Sequence, residues 1–298
     1  MISGVINVYK EKGYTSHDVV AKLRGILKQK KVGHTGTLDP EAEGVLAVCL
    51  GSGTKLCDML TDTGKTYEAT LLLGQVTDTQ DTTGNLQQER PVTCSENDVA
   101  EKLYSFIGEY DQIPPMFSAR KVQGKKLYEL ARAGVEVERK PQRITIYDIH
   151  IEQIRLPEVV FTVSCSKGTY IRTLCHDVGE ALGCGGCMKS LKRIRVGDFE
   201  VVDSLKLSEI EKLRDDGALM EYIHPVDSMF PHLAQIHVLP EFEQLLKNGN
   251  PLGYRHIKEK PERAYRIRAY DTENIFCGIY TWNNDKKIYV PEKMFPET

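Results

Sequence analysis

The stretch that organises this chain is residues 33–46, Gly33-His34-Thr35-Gly36-Thr37-Leu38-Asp39-Pro40-Glu41-Ala42-Glu43-Gly44-Val45-Leu46. It places one carboxylate, Asp39, in a turn that contains Gly36, Pro40 and Gly44, directly before an apolar strand predicted at 45–50. Proline fixes φ near about −65° and glycine reaches positive φ, so such a turn can hold a side chain in one orientation. We therefore expect Asp39 to be displayed at a strand edge, as a nucleophile or a general base would be.

The composition is that of an ordinary globular protein. Of 298 residues, 41% are hydrophobic and 27% are charged, close to the usual average. The length predicts one large core with a small appended module. The sequence has no apolar run of about eighteen residues, and residues 1–10 alternate like a strand rather than a signal peptide. These patterns predict no membrane span and a cytoplasmic location.

Cysteine usage leaves two interpretations. The eight cysteines are scattered, and only Cys184-Gly185-Gly186-Cys187 has the spacing of a metal or redox pair. A structural zinc site uses four ligands, and no second Cys or His pair accompanies this one. We favour buried thiols around a glycine turn that ends a helix, and expect no metal and no cofactor. A zinc or redox protein is the alternative.

The charge is unevenly distributed. The net charge is −3 and the pI about 6.3, whereas acids concentrate in 96–111 and 200–216. Each basic cluster alone is best interpreted as a solvated face, and four together leave a groove for a polyanion and ordinary solvated faces as equal alternatives. The clusters are Lys22, Arg24, Lys28, Lys30 and Lys31; Arg120, Lys121, Lys125 and Lys126; Lys189, Lys192, Arg193 and Arg195; and Arg255, Lys258, Lys260, Arg263, Arg266 and Arg268.

The pattern of apolar residues predicts an α+β fold. Strands are expected at 4–9, 45–50, 67–73, 143–154, 159–166, 189–196 and 199–202, and helices at 16–29, 53–61, 95–107, 125–133, 169–182 and 208–215. Because hairpins dominate, we expect a mixed, largely antiparallel sheet rather than a doubly wound parallel one. After about residue 232, short strands split by Gly, Pro and Asn predict a small β-barrel. The predicted domains are 1–234 and 235–298.

Three further side chains stand out, although each has an ordinary interpretation. Tyr67 follows a cation at a strand start, and Tyr170 and Arg172 follow Lys167-Gly168-Thr169 at a helix start. Singly, the tyrosines are best explained as core aromatics and Arg172 as a surface charge. Together with Asp39, they have the residue types of a site that binds and stacks a base.

The ordered set of motifs resembles the TruB family of tRNA pseudouridine synthases. The match to residues 33–46 is nearly residue for residue, and the other motifs follow in order over about residues 3–200: 13–20, 77–84, 114–121, 124–132, 167–174 and 191–199. One departure is Lys10-Glu11-Lys12-Gly13, where the family commonly has Lys-Pro-x-Gly. The resemblance implies a pseudouridine synthase fold and, for residues 235–298, a PUA-like RNA-binding module.

The resemblance also implies an activity and the residues that carry it. The expected reaction is isomerisation of uridine to pseudouridine at position 55 in the T-arm loop of tRNA, with no cofactor. Asp39 matches the catalytic aspartate, Arg172 the arginine that pairs with it, and Tyr67 the tyrosine that packs on the target base. Further positions expected to contact substrate are Lys10, His34, Tyr170 and Leu191. The enzyme is expected to act as a monomer.

The chemistry fits these residue types. The N1–C1′ bond breaks, the uracil turns, and C5 joins C1′, so no redox agent is needed. A loop uridine must first be flipped out, at a cost of a few kcal/mol, and stacking on an aromatic ring offsets that cost. Asp39 must be ionised to attack C1′ or to take the 2′ proton, and Arg172 would keep it charged in a dry pocket. Both routes stay open. A binding protein without turnover is the competing function, although it would not need Asp39 and Arg172.

Overall fold

The computed structural model describes residues 1–61, 63–118, 120–122, 124–135, 137–261 and 264–295. The strands are β1 Gly4–Lys10, β2 Val32–His34, β3 Glu43–Leu50, β4 Lys65–Leu73, β5 Gln75–Thr77, β6 Leu86–Glu89, β7 Gly108–Gln112, β8 Lys121–Val122, β9 Lys125–Lys126, β10 Gln142–Arg155, β11 Glu158–Cys165, β12 Gly186–Val196, β13 Phe199–Glu200, β14 Ala234–His237, β15 Arg266–Tyr270, β16 Phe276–Asn283 and β17 Ile288–Met294. The α-helices are α1 Ser16–Leu27, α2 Cys57–Thr61, α3 Glu96–Tyr104, α4 Leu127–Arg132, α5 Ile171–Ala181, α6 Leu207–Asp215 and α7 Glu243–Lys247. Short 3₁₀ turns cover Gly51–Leu56, Val201–Asp203, Leu219–Tyr222, Val226–Met229, Pro240–Phe242 and Tyr254–His256.

A nine-stranded sheet forms the centre of the molecule. Its main path is β1-β3-β12-β4-β11-β10-β7, with β2 on β3 and β13 on β12. Among the described strands of this sheet, β12 and β3 pair in parallel and the other pairs are antiparallel. The predicted α+β class with a largely antiparallel sheet is confirmed.

Apolar packing covers the sheet from several directions. Helices α3 and α5 pack on one region of the sheet, where Leu71, Phe161 and Leu174 are fully buried. Helices α1 and α6 cover β1 and β3 in a second cluster. Burying each such aliphatic or aromatic side chain stabilises the fold by roughly 1.5–3 kcal/mol. The sheet is therefore a rigid base for the loops at its ends.

Several boundaries differ from those predicted. Strand β12 begins at Gly186, earlier than expected. The absence of a side chain at Gly179 in α5 allows this close approach, because a Cβ on Gly179 would lie 2.2 Å from the backbone nitrogen of Gly186. Helix α6 does not use Ser208 as its cap: it begins at Leu207, and the backbone nitrogen of Lys206 donates to the carboxylate of Glu209 at 2.7 Å. The strand predicted at 199–202 ends at Glu200.

The C-terminal region forms a separate sheet with its own core. Its order is β14-β15-β16-β17, around buried side chains that include Ile236, Ile267 and Tyr280. The path is open, since no pairing of β14 with β17 is present in the part of the chain that is described, and we call it a sheet rather than a closed barrel. Ile279 and Phe295 pack with Val5 and Val45 of the main sheet. Among the described helices, none is long and apolar enough to cross a bilayer.

Candidate active site

The turn that carries Asp39 is built between β2 and β3. Gly36 has φ of 142° and Gly44 has φ of 105°. The buried Leu38 donates its backbone N–H to the hydroxyl of Ser16 at 2.9 Å, and Ala42 donates to the carbonyl of Asp39 at 3.1 Å. The turn is fixed on both sides of Asp39, whose side chain is 42% exposed. The carboxylate is therefore positioned but still in contact with solvent.

Lys10 supports this turn from below. Its side chain is fully buried, and Nζ donates to the carbonyl oxygens of Ala42 at 2.5 Å, Pro40 at 3.1 Å and Glu11 at 3.2 Å. Burial lowers the pKa of Lys10 to about 8, although the Asp39 carboxylate opposes that shift. We expected Lys10 to contact substrate. The structure directs its ammonium group to three backbone carbonyls, so Lys10 positions the turn, and its contact with substrate stays a prediction.

Arg172, at the start of α5, joins Asp39 to two other loops. The Nε atom of Arg172 lies 2.9 Å from Oδ2 of Asp39, and its side chain is only 5% exposed. Nη1 donates to the carbonyl of Thr79 and Nη2 to that of Phe117, both at 3.0 Å. Charge-assisted hydrogen bonds are stronger and shorter than neutral ones. A single guanidinium group therefore holds the Asp39 turn against the 77–84 loop and the 116–118 segment.

A second carboxylate, which the sequence analysis did not single out, stands beside Arg172. Oδ2 of Asp81 is 3.7 Å from Nη1 of Arg172. Its Oδ1 accepts hydrogen bonds from the hydroxyls of Thr79 at 2.7 Å and Thr83 at 2.6 Å. The Thr79-Gln80-Asp81-Thr82-Thr83 pattern, typical of side-chain-stabilised turns, was the available signal. Asp81 orders the loop and helps to balance the charge of Arg172.

Tyr67 lies beside a buried arginine. Tyr67 in β4 is opposite Arg193 in β12 and is only 7% exposed. Burial raises the pKa of the Tyr67 phenol, and the Arg193 guanidinium opposes that shift. A base can stack on this ring only after the neighbouring groups move apart, since the ring is almost fully covered in the free protein.

Arg193 itself does not belong to a surface cluster, contrary to our expectation. It is 1% exposed; Nε donates to the carbonyl of Val45 at 2.7 Å and Nη2 to that of Gly36 at 3.1 Å. No ion pair of Arg193 with an acid is present within the described residues. It is a buried cation that ties β12 to the turn containing Asp39.

His34, Tyr170 and Leu191 are placed around this centre. Nδ1 of His34 accepts the backbone N–H of Gly36 at 3.3 Å, which leaves the ring proton on Nε2. Burial lowers the pKa of His34 to about 4, with His17 and Arg193 adding to the shift. Gln112 holds the backbone of Tyr170 at both N–H and C=O. Leu191 is buried in the same cluster as Tyr67.

Some side chains of the basic clusters form hydrogen bonds or ion pairs within the protein. Lys28, Lys30 and Lys31 are exposed, but Arg24 donates to the carbonyl of Val32. Lys189 pairs with Glu158, and Arg266 pairs with Glu292. The predicted positions Ala119 and Arg263 lie outside the described residues, as do the side chains of Lys121, Lys126 and Arg132. Fewer lysine and arginine side chains are therefore available to line a basic groove than the four clusters contain in the sequence.

The remaining expected features concern metals and cysteines. Cys184 and Cys187 are buried, free thiols, Cys184 in the connection from α5 to β12 and Cys187 at the start of β12. In the residues the structure covers, no group of three or more His, Cys, Asp or Glu side chains has the arrangement of a metal site. The arrangement around Asp39 is a partly exposed acid, with Asp81 beside the same arginine, backed by the buried cations Lys10, Arg172 and Arg193.

Comparison with known proteins identifies the family. Residues 24–171 match the model of the TruB family pseudouridylate synthase N-terminal domain, and residues 172–231 match that of the tRNA pseudouridylate synthase B C-terminal domain. The chain is 52% identical to the tRNA pseudouridine synthase B of Lachnoclostridium phytofermentans over 99% of this chain and 100% of that protein. It is 44% identical to the protein of the same name from Clostridium kluyveri, over 93% and 95% of the two chains.

Solved structures agree with the sequence relatives. A chain from the crystal structure of a Cbf5-Nop10-Gar1 complex is 25% identical, with a TM-score of 0.72 over 99% of this chain and 87% of that one. A chain from an H/ACA RNP bound to a substrate RNA containing 2′-deoxyuridine has a TM-score of 0.71 at 25% identity, over 99% and 85% of the chains. With a relative more than half identical over nearly its whole length, this chain belongs to the TruB family of pseudouridylate synthases.

Proposed function

We propose that this protein isomerises uridine to pseudouridine at position 55 in the T-arm loop of tRNA, with Asp39 as its catalytic residue. Family membership and the names of the relatives support a pseudouridine synthase that acts on tRNA. The observation that carries the role of Asp39 is its 2.9 Å contact with the buried guanidinium of Arg172. That contact fixes the orientation of the carboxylate through a charge-assisted hydrogen bond.

Asp39 can begin the reaction in either of two ways. As a nucleophile, its carboxylate attacks C1′ as the N1–C1′ bond breaks, and it is displaced when C5 of the turned uracil bonds to C1′. As a base, it takes the 2′ proton while the uracil leaves, and it returns that proton when the C5–C1′ bond has formed. In both routes C5 loses its hydrogen and N1 gains one, so the reaction is a net isomerisation.

The surrounding residues bind and orient the nucleoside in this proposal. Tyr67 supplies the ring on which the base packs, worth about 1–3 kcal/mol per stacked base. His34, neutral above about pH 4, presents its Nε2–H as a hydrogen-bond donor. Tyr170 and Leu191 line the same region. These contacts offset the cost of flipping the uridine.

The proposed organisation follows the two sheets. Residues 1–234 form the catalytic domain, and residues 235–298 form a PUA-like module that binds RNA. The proposed functional unit is a monomer. With tRNA as substrate, the proposed location is the cytoplasm.

The test is turnover on an unmodified tRNA. Asp39→Asn and Asp39→Ala should abolish tritium release from C5-labelled uridine and leave tRNA affinity within about tenfold, because removing one charge from a large phosphate-binding surface changes binding little. Glu41→Gln, an exposed acid in the same turn, is the matched control and should keep its rate. Mass mapping of the product locates the modified nucleotide. Residual turnover in purified Asp39→Asn would contradict the catalytic role proposed for Asp39. If the wild-type protein binds tRNA but does not turn it over, the protein is a binding factor and not an enzyme.

A further inference from the structure

Two free thiols that the proposed reaction does not use lie side by side next to strand β2. Cys49 lies in β3 and is fully buried, and Cys57 begins α2 and is half-buried. In the pairing of β2 with β3, Gly33 is directly opposite Cys49, and a Cβ on Gly33 would lie 3.1 Å from Sγ of Cys57. Side chains of residues directly opposite in antiparallel strands stand on the same face, with Cβ atoms about 4.5–5.5 Å apart. The Cys57 sulfur therefore fills the space beside Cys49 that a side chain at position 33 would take.

The two thiols differ in their chemical character. Both belong to one apolar cluster. A hydrogen bond from the Cys49 thiol lowers the pKa of Cys57. The same hydrogen bond raises the pKa of Cys49, and burial adds to that shift. Because the thiolate is the form of cysteine that attacks electrophiles, Cys57 is the nucleophile of the pair, and Cys49 is a second thiol shielded from solvent.

The spacing of cysteines in the sequence singled out a different pair. Cys184 and Cys187 are both buried. Burial raises the pKa of Cys184, and it raises the pKa of Cys187 to about 11, so neither is an accessible thiolate. Among the eight cysteines, Cys57 and Cys94 are the two that are half-buried. Cys94 is therefore the matched control for Cys57.

Helix α2 is the element that can bring the two sulfur atoms together. Cys49 is held on both sides, since it pairs with Val5 of β1 and with Gly33 of β2. Helix α2 has five residues, and none of them is buried. Segments with few buried contacts are displaced most easily. Formation of a bond between the sulfur atoms, which lie closer in a disulfide than in van der Waals contact, therefore moves Cys57 and leaves Cys49 in place.

We propose that Cys57 and Cys49 are a hydroperoxide-sensitive thiol pair that closes to an intramolecular disulfide. The Cys57 thiolate attacks one oxygen of the hydroperoxide: an S–O bond forms, the O–O bond breaks, and the leaving oxygen takes a proton from solvent. The sulfur of Cys49 then attacks the sulfenic acid on Cys57: the S–S bond forms, the S–O bond breaks, and the thiol proton leaves with the oxygen as water. The two thiols lose two electrons, and hydrogen peroxide is reduced to two molecules of water.

Closure of this pair also acts on the turn that carries Asp39. The carbonyl of Thr61, the last residue of α2, accepts a hydrogen bond from Nζ of Lys65 at 2.9 Å. A Cβ on Gly36, in the Asp39 turn, would lie 3.6 Å from Cε of Lys65. A displacement of α2 thus moves an acceptor of the side chain that lies against this turn, and the oxidised protein is the slower enzyme. This consequence, unlike the thiol pair itself, rests on the proposed function.

Peptide mapping by mass spectrometry tests the thiol pair in the full-length protein. Wild-type protein treated with hydrogen peroxide and then alkylated should yield a disulfide-linked peptide that joins Cys49 to Cys57, and dithiothreitol should release it. Cys94→Ser should form the same linked peptide. If Cys49 and Cys57 remain free thiols under peroxide, whether or not Cys94 is oxidised, the proposal is overturned.

Variants of the two cysteines test the order of the steps. In Cys49→Ala the sulfenic acid on Cys57 has no resolving thiol, so dimedone should label Cys57. In Cys57→Ser the buried Cys49 should stay reduced under the same peroxide treatment. The Cys57 position is half-buried, so this variant remains informative even if Cys49→Ala fails to fold. Oxidation of Cys49 in folded Cys57→Ser would contradict the assignment of Cys57 as the nucleophile.

Turnover on tRNA tests the link to the Asp39 turn. In the oxidised wild type kcat should fall at least about threefold, because a small misplacement of a positioned group slows the chemical step, and dithiothreitol should restore it. Cys57→Ser should keep its kcat under peroxide. Equal kcat values with and without the disulfide would refute the link to this turn. If reduced wild type forms no pseudouridine, the proposed function fails, while peptide mapping still decides on the thiol pair.

Discussion

The guanidinium group of Arg193 donates to the carbonyl oxygen of Gly36 at 3.1 Å, which fastens strand β12 to the turn three residues ahead of Asp39. The same side chain donates to Val45 just after that turn. One buried cation thus holds both ends of the loop that displays Asp39.

Arg193→Met should therefore reduce activity more than it reduces RNA binding. The substitution leaves two buried carbonyls without donors, at about 1–3 kcal/mol each, and lowers Tm. We expect kcat to fall at least about tenfold with KM within threefold, measured on tRNA below the lowered Tm. Lys189→Met, on the exposed face of the same strand, is the control. A variant with lowered Tm and unchanged kcat would mean that Arg193 only stabilises the fold.

Arg172→Lys should show what the guanidinium group adds beyond charge. Lysine keeps a positive charge near Asp39 but cannot bond Asp39, Thr79 and Phe117 together from one planar group. We expect single-turnover rates to fall about 100-fold, with tRNA affinity within about threefold. If Arg172→Lys turns over at the wild-type rate, then a charge alone is sufficient and the three-way contact is not required.

Gly44→Ala tests the close approach of β3 to β12. A Cβ on Gly44 would lie 2.2 Å from the carbonyl oxygen of Arg193, and its φ is +105°. We expect a loss of about 3 kcal/mol or more in the free energy of unfolding, because backbone strain and a clash add. Gly217→Ala has a positive φ of +75° with no atom within 4 Å of the added Cβ, and should lose only about 1 kcal/mol. Equal losses in urea titrations would show that the contact with Arg193 is easily relieved.

His34 makes stability depend on pH. Its folded-state pKa is about 4, below the ordinary value of 6.5, because of burial. Between pH 4 and pH 6.5 the unfolded chain takes up a proton at His34 that the folded chain does not. The contribution of His34 to the free energy of unfolding is therefore complete above about pH 6.5 and is lost as the pH falls towards 4.

His34→Gln should accordingly reduce the dependence of the free energy of unfolding on pH. We expect the fall in unfolding free energy between about pH 7 and pH 4.5 to shrink by on the order of 2 kcal/mol, measured by urea titration at each pH. The exposed His232→Gln serves as control and should keep the wild-type slope. An unchanged slope in His34→Gln would mean that His34 takes up its proton in the folded protein at its ordinary pH.

Much of the fold was predictable because apolar periodicity reports which face of an element is buried. The hairpin of β10 and β11 and the position of α5 agree with the prediction to within a few residues. The contact of Asp39 with Arg172 was expected only through the family resemblance, since no spacing links residues so far apart in sequence.

The placement of the arginines in β12 shows where pattern alone fails. Strict alternation puts Arg193 and Arg195 on the same face of a strand. A bulge between them, in the pairing of β12 with β4, inserts one residue, which reverses the face, so that one arginine enters the core and the other stays at the surface. A bulge depends on the partner strand, and the local sequence therefore did not reveal it. The burial of Lys10 was hidden for a related reason, because the three backbone carbonyls that compensate its ammonium group come together only after folding.

If Asp39 is the catalytic residue that we propose, its partial exposure makes the substrate a structural component of the reaction centre. Until RNA covers it, water competes for the carboxylate and the surrounding dipoles act in a high-dielectric medium, where they contribute little. An RNA that binds without sealing this opening gains affinity but no rate. Discrimination between correct and incorrect RNAs then operates on the chemical step as well as on binding, and a poor substrate is released unchanged.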